Sequence, residues 1–241
     1  MRKPIAAANW KMNGDFSLLD DFAQANITSD KCETIFALPS VLLDRAQKLG
    51  LNALAGQDVS AQVKGAFTGE ISASMLKMLG CQYCIIGHSE RRQYHHEDEA
   101  LLIEKWRRLK EAEITPIYCI GELQAEYDAH ATQQALERQL RPILEENLVD
   151  HKTIIAYEPV WAIGTGKAAT PDYAQHVHQM IRQIVAQNYA SIAPAMRLLY
   201  GGSVKPDNAG LLICQADIDG FLIGGASLDV GLFTKIIETM K

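Results

Sequence analysis

The feature that most limits what this chain can fold into is a recurrence. Short apolar, β-rich runs return roughly every 20 to 45 residues, and stretches with helical spacing of apolar residues separate them. The runs are Pro4–Asn9, Thr34–Leu38, Asn52–Gly56, Tyr83–Gly87, Thr115–Ile120, Thr153–Tyr157, Arg197–Tyr200 and Gly220–Ile223. Cys84-Ile85-Ile86, Ile154-Ile155-Ala156 and Leu222-Ile223 are apolar on both faces. Strands buried on both sides belong to parallel sheets covered by helices. Eight such units in 241 residues predict an α/β fold: a closed (β/α)8 barrel of eight parallel strands with outer helices, one domain over residues 1–241. A doubly wound sheet would carry G-x-G-x-x-G after its first strand, and Asn9-Trp10-Lys11-Met12-Asn13-Gly14 stands there instead.

The helices between the runs are readable from their ends. Asp15–Gln24 opens after Gly14. Ser40–Lys48 is predicted to start on a Ser40 cap and stop at Gly50, and Ser72–Leu79 stops at Gly80. Glu97–Glu111 is long and charged. Thr132–Glu146 contains Pro142, which predicts a kink or a break. Thr170-Pro171 pairs a cap with proline at the first helical position, opening a helix to about Asn188, and Leu232–Met240 is the last.

Charge and cysteine content exclude several functions. A net charge of −6, with Arg107, Arg108 and Lys110 diluted by Glu104, Glu111 and Glu113, argues against a nucleic-acid surface. No apolar stretch approaches the roughly 18 residues of a membrane span. The Ile5-Ala6-Ala7-Ala8 run is too short for a signal-peptide core, so a cytoplasmic location is expected. Cys81-Gln82-Tyr83-Cys84 has no second C-x-x-C to complete a zinc site and fronts an apolar strand, so these thiols are expected to be packed or superficial, without metal.

In a barrel of this kind the active site forms at the C-terminal ends of the strands. That rule selects Asn9 and Lys11 after the first run, Gly87-His88-Ser89-Glu90 after the fourth and Cys119-Ile120-Gly121-Glu122 after the fifth. Glu158 follows the sixth, Gly201-Gly202-Ser203 the seventh and Gly224-Gly225 the eighth. Singly, the histidine could lie on the surface, the glutamate could solvate a loop and the lysine could snorkel to water. Their convergence on equivalent positions of the repeat argues for catalysis. The paired glycines suit a phosphate, because backbone N–H groups can approach it unobstructed, although they could equally make tight turns. Gly164-Thr165-Gly166-Lys167 is not a P-loop, since Ala168 stands where Ser or Thr would hold magnesium. An exposed Val160-Trp161-Ala162-Ile163 run would be costly, and a lid over residues 159–167, stiffened by Pro159 and freed by Gly164 and Gly166, would explain it.

Those same segments carry a family resemblance. Asn9-Trp10-Lys11, Gly87-His88-Ser89-Glu90-Arg91-Arg92, Cys119-Ile120-Gly121-Glu122, the Ala156–Gly166 run, Tyr200-Gly201-Gly202-Ser203-Val204-Lys205 and Gly65-Ala66-Phe67-Thr68-Gly69-Glu70 resemble the triosephosphate isomerase family across the whole chain and in order. The resemblance implies a TIM barrel. It implies interconversion of dihydroxyacetone phosphate and D-glyceraldehyde 3-phosphate through an enediolate, in glycolysis and gluconeogenesis. Glu158 would be the general base, His88 a neutral electrophile, Lys11 the cation beside the enediolate and phosphate, and Asn9 its polar neighbour. Gly164, Ser203, Gly224 and Gly225 would grip the phosphate, Ser89 and Glu90 would support the site, and Cys119 would be packed beside it without acting as a nucleophile. No metal or cofactor is implied. The Gly65–Glu70 loop matches the family's dimer arm, which implies a homodimer. The stretch Ala25–Cys32 looks trimmed, and Asp58 stands where many relatives carry asparagine; neither is expected to alter the chemistry.

Two other functions fit parts of the pattern. A phosphosugar aldolase would use Lys11 as a Schiff base, but such lysines usually sit in apolar pockets and Lys11 lies among Asn9, Asn13 and Gly14. A non-catalytic phosphometabolite-binding protein would be expected to lack the base, and Glu158, His88 and Lys11 are all present.

Overall fold

The computed structural model describes residues 2–51, 53–163 and 168–240. Its eight strands are β1 (Ile5–Asn9), β2 (Glu33–Ala37), β3 (Leu54–Gly56), β4 (Cys81–Ile86), β5 (Thr115–Ile120), β6 (Ile154–Tyr157), β7 (Arg197–Tyr200) and β8 (Gly220–Ile223). They form a closed barrel in sequence order, every neighbouring pair parallel, and β1 pairs with β8 through Ile5 and Gly220 to close it. The expected (β/α)8 architecture is what the chain adopts. The start of the third predicted run, Asn52, lies outside the described residues.

The two-faced apolar runs now have a reason. Ile5, Ala7, Ile35, Ile85, Ile117, Cys119, Ile154, Ala156, Leu199 and Leu222 fill the barrel interior. The intervening residues, such as Ala6, Ala8, Tyr118, Ile155, Tyr157 and Ile223, pack outward against the helices. Strand side chains alternate faces with a period of two. Continuing the inward phase past the strand ends gives Asn9 after Ala7, Gly121 after Cys119, Glu158 after Ala156, Gly201 after Leu199 and Gly224 after Leu222. The candidate site is thus the next layer of the barrel interior, carrying polar residues and glycines where the lower layers are apolar.

The helices are α1 (Phe16–Ala25), α2 (Ser40–Lys48), α3 (Ala73–Met78), α4 (Ser89–His95), α5 (Glu99–Glu111), α6 (Gln124–Asp128), α7 (Thr132–Glu145), α8 (Pro171–Asn188), α9 (Pro206–Ile213) and α10 (Val230–Glu238). Asp15, Ser72, Asp98, Thr170 and Asp229 cap five of them through side-chain acceptors. One expectation fails: Ser40 is the first helical residue and not a cap, because Pro39 occupies the N-cap position without a side-chain bond. Pro142 lies inside α7, which runs unbroken from Thr132 to Glu145, so the break is not what it marks. The buried face of Leu136, Leu140, Ile143 and Leu144 holds that helix together despite the lost backbone bond. Cys81 and Cys84 are buried free thiols in β4. Among the described residues no helix is long and apolar enough to cross a membrane.

One glycine sets the spacing at the top of the barrel. A Cβ on Gly121 would fall onto the carbonyl oxygen of Glu158, with no side chain present that could yield. The ends of β5 and β6 therefore meet backbone to backbone, and the Glu158 N–H donates to the Ile120 carbonyl at 2.8 Å.

Candidate active site

Glu158 is a carboxylate almost wholly removed from water, its side chain 2% exposed. An unpaired charge in such a place would be strongly destabilising. Two donors hold it. The backbone N–H of Ser89, the first residue of α4, donates to Oε2 at 2.8 Å, and His88 Nε2 lies 2.9 Å from Oε1. The turn that delivers both donors passes through Gly87, whose φ of 70° lies in the left-handed region that glycine adopts most readily. Helix α4 is itself anchored. Arg91 reaches Glu97 at 2.6 Å and Asp58 at 2.8 Å, and Lys105 bridges the same two carboxylates at 2.5 and 2.6 Å.

The remaining predicted residues gather around this pair. Asn9 is buried, and its Oδ1 accepts the Lys11 N–H at 3.1 Å. Lys11 Nζ meets Glu90 Oε1 at 2.6 Å, so Glu90 does support the site, while Ser89 supports it through its backbone N–H and not its hydroxyl. A cavity of about 820 Å³ is lined by Asn9, Lys11, His88 and Glu158 together with Ser203, Gly224 and Gly225. A hypothetical Cβ on Gly224 would lie 3.6 Å from Lys11 Cε, which places the eighth-strand turn beside the cation. Gly164 lies outside the described residues, as do residues 165–167 of the expected lid. Among the described residues no group of three His, Cys, Asp or Glu is arranged to hold a metal ion.

The charges of the pair depend on each other. Burial pushes the Glu158 carboxyl up, but the charge and hydrogen bond of His88, then the Ser89 N–H and Lys11, hold it below its ordinary value. Burial pushes the His88 imidazole down, yet the Glu158 charge and hydrogen bond outweigh it and the net shift is upward. That differs from the neutral electrophile the resemblance implies: facing Glu158, the ring is drawn towards its protonated form. Burial and the Lys11 charge oppose that pull, and the Glu90 N–H donates to Nδ1 at 3.3 Å, which leaves Nε2 as the ring's donor. Cys119 is fully buried, and its surroundings push the thiol well above its usual range, so it carries no thiolate for nucleophilic work.

Sequence reasoning misplaced one residue and missed the aromatic set around it. Glu122, selected because it follows β5, faces away from the cavity. Its Oε1 accepts from Trp161 Nε1 at 2.8 Å, Tyr157 Oη at 2.9 Å and Tyr173 Oη at 3.0 Å. Tyr127 stacks on Trp161 with ring centroids 4.3 Å apart. The signal was available in the strand phase, since Gly121 continues the inward series and Glu122 must then point outward. These contacts also correct the picture of an exposed run after the base. Pro159 and Ala162 are buried, and Val160, Trp161 and Ile163 are at most half exposed.

Comparison with known proteins agrees with this arrangement. The family model described as triosephosphate isomerase matches residues 4–240. The chain is 44% identical to the triosephosphate isomerase of Klebsiella pneumoniae over 251 aligned positions, covering 100% of this chain and 98% of that one. The triosephosphate isomerases of Salmonella newport and Salmonella dublin are similar to the same extent, at 44% identity with the same coverage.

The coupling of the pair gives a pH prediction with a definite sign. Protonated Glu158 cannot accept a proton, so with Glu158 as the general base that the resemblance implies, activity should fall as pH drops through its folded-state pKa. His88→Gln removes the largest influence that lowers this pKa and leaves burial to raise it. The acid limb of the residual kcat/KM profile, and the Glu158 carboxyl titration followed by NMR, should both move to higher pH. An unmoved or lowered limb would contradict the pairing.

Proposed function

The chain belongs to the triosephosphate isomerase family and interconverts dihydroxyacetone phosphate and D-glyceraldehyde 3-phosphate, and we propose that Glu158 is its general base and His88 its electrophile. One observation carries this reading. A buried carboxylate and an imidazole lie 2.9 Å apart in a cavity that also holds Lys11 and two glycine-rich turns. In the proposed cycle substrate enters and Glu158 turns from His88 to the carbon next to the carbonyl. The carboxylate takes that proton, and the electrons of the C–H bond move into the carbonyl to give an enediolate. His88 Nε2–H and Lys11 Nζ face the oxygen on which negative charge develops. A proton then passes to that oxygen from the hydroxyl on the neighbouring carbon, with His88 Nε2–H placed to give one proton and take the other; Glu158 returns its proton to the adjacent carbon as the second oxygen becomes the carbonyl, and no atom is gained or lost. With Glu158 turned away, its pull on the imidazole is gone. Burial and the Glu90 N–H on Nδ1 then favour the neutral ring, a better match to an enediol oxygen than an imidazolium.

Asn9 keeps Lys11 in place, and the backbone of Ser203, Gly224, Gly225 and Gly164 binds the phosphate. Residues 159–167 act as a lid that excludes water and so limits loss of phosphate from the enediolate. Support comes from Trp161, fixed by one hydrogen bond and a ring stack that can be released together. The engagement of Lys11 by Glu90 argues against a Schiff-base role for it. The chain works as a single domain in the cytoplasm, and its reaction belongs to glycolysis.

We also assign it as a homodimer through the Gly65–Glu70 loop. Met12, Val41, Phe67 and Tyr94 are exposed at 96%, 81%, 45% and 68%. Met12, Val41 and Tyr94 line a second cavity of about 550 Å³ that shares Lys11 and His88 with the first. A patch of that kind usually marks an interface. Sedimentation equilibrium should give twice the chain mass of 26.6 kDa, and a species of 26.6 kDa at micromolar concentration would refute the dimer.

The catalytic reading is tested by Glu158→Gln, which keeps the side-chain shape and removes the base. A coupled assay should show a loss of about 10³-fold or more in kcat, with inorganic phosphate still bound. Activity within tenfold of the parent would overturn the assignment.

A further inference from the structure

The lining of the catalytic cavity contains Lys11, Lys205 and Lys235 as cations and Glu90, Glu158 and Asp207 as anions. Two of these are spoken for inside the site, and a third is held with them: Lys11 by Glu90, and Glu158 by His88 and Ser89. Asp207 lies in the first turn of α9, where a helix N-terminus favours a carboxylate. Lys205 and Lys235 remain. Both are exposed, and among the described residues neither forms an ion pair.

Their place is what distinguishes them in this molecule, since six of its eleven described lysines lack an ion pair. Every arginine in it is ion-paired. The other described lysines without such a partner are Lys3, Lys31, Lys64 and Lys152, and none of them lines the catalytic cavity. Lys205 and Lys235 also come from particular places. Lys205 leads from the β7 turn into α9, with its backbone N–H bonded to Asn208 Oδ1 at 2.8 Å. Lys235 sits on α10, whose Phe233, Ile236 and Ile237 are buried in the core, while Leu232, three residues before it and on the same face, joins it at the cavity. They therefore belong to the same two strand-to-helix units that present Ser203 and Gly224-Gly225.

We propose that Lys205 and Lys235 are capture residues, two unpaired rim cations that draw the phosphate dianion of the substrate into the cavity. The proposal rests on the triose phosphate reading of the site. A phosphate monoester carries about −1.5 to −2 charges at neutral pH. A protein of net charge −6 repels it at long range. Backbone N–H groups act only at contact, so they cannot offset that repulsion while substrate is still outside. Two ammonium groups at the cavity, neither of them held in an ion pair among the described residues, give the approaching dianion a local attraction. Their contribution is to encounter and binding and not to the proton transfer.

The test is a salt series on Lys205→Gln, Lys235→Gln and the double variant, with Lys152→Gln as a control that removes the same charge away from the cavity. At an ionic strength of about 0.01 M each single variant should lose roughly 2- to 4-fold in kcat/KM and the double variant about 10-fold, while kcat stays at the parental value. At about 1 M the differences should fall below roughly 1.5-fold, and Lys152→Gln should match the parent throughout. Losses that persist at high salt, losses in kcat, an equal loss in Lys152→Gln, or no loss at low salt would each overturn the proposal. Retained kcat in every variant would leave the catalytic reading standing even if capture fails.

Discussion

Burial of the Glu158 charge is the constraint on which the rest of the upper barrel depends. A carboxylate with 2% of its side chain exposed needs donors whose positions are fixed before substrate arrives. Helix α4 supplies them, and the four-charge cluster of Asp58, Arg91, Glu97 and Lys105 fixes α4. Gly121 lets β5 approach the Glu158 backbone closely enough for the ladder to continue one residue past β6. On the outer side, Tyr157 and Trp161 flank the base in sequence and donate to the same Glu122 oxygen. The Glu158 carboxylate is therefore held through its neighbours along its own chain and from the start of α4.

The pair of Glu158 and His88 has a cost and a use. Each stabilises the charged form of the other. In the proposed cycle substrate must compete with this contact, and separating the pair would deliver a carboxylate to one side of the substrate and an N–H donor to the other. Lys11, engaged by Glu90 at 2.6 Å, would add positive charge beside the developing oxyanion.

Much of this was legible in the sequence, and the failures have physical causes. Runs apolar on both faces required a covered parallel sheet, and eight of them required closure. The strand-end rule then gathered Asn9, Lys11, His88, Glu158, Ser203, Gly224 and Gly225, which line one cavity. It could not give direction: Glu122 lies at a strand end like Glu158 but points outward, because it is one residue out of phase with the inward series. Helices α4 and α6, with 7 and 5 residues, are too short to show a helical period. Helix α9 was marked by Pro206 at its first position and overlooked. Pro142 was read by its backbone alone, whereas the buried face of α7 decides the outcome. The aromatic support of Trp161 joins β5, β6, α6 and α8, and no local pattern encodes it.

The central claim is that one carboxylate moves a proton between neighbouring carbons. Turnover in heavy water tests it most directly, with product examined by NMR for deuterium on the carbon that receives the proton. A proton resting on Glu158 during the enediolate stage can exchange with solvent, so product should carry solvent deuterium at that carbon, and Glu158→Gln should form no labelled product at a comparable rate. Full conversion with no deuterium incorporated would point to direct hydride transfer between the carbons and would contradict the role assigned to Glu158.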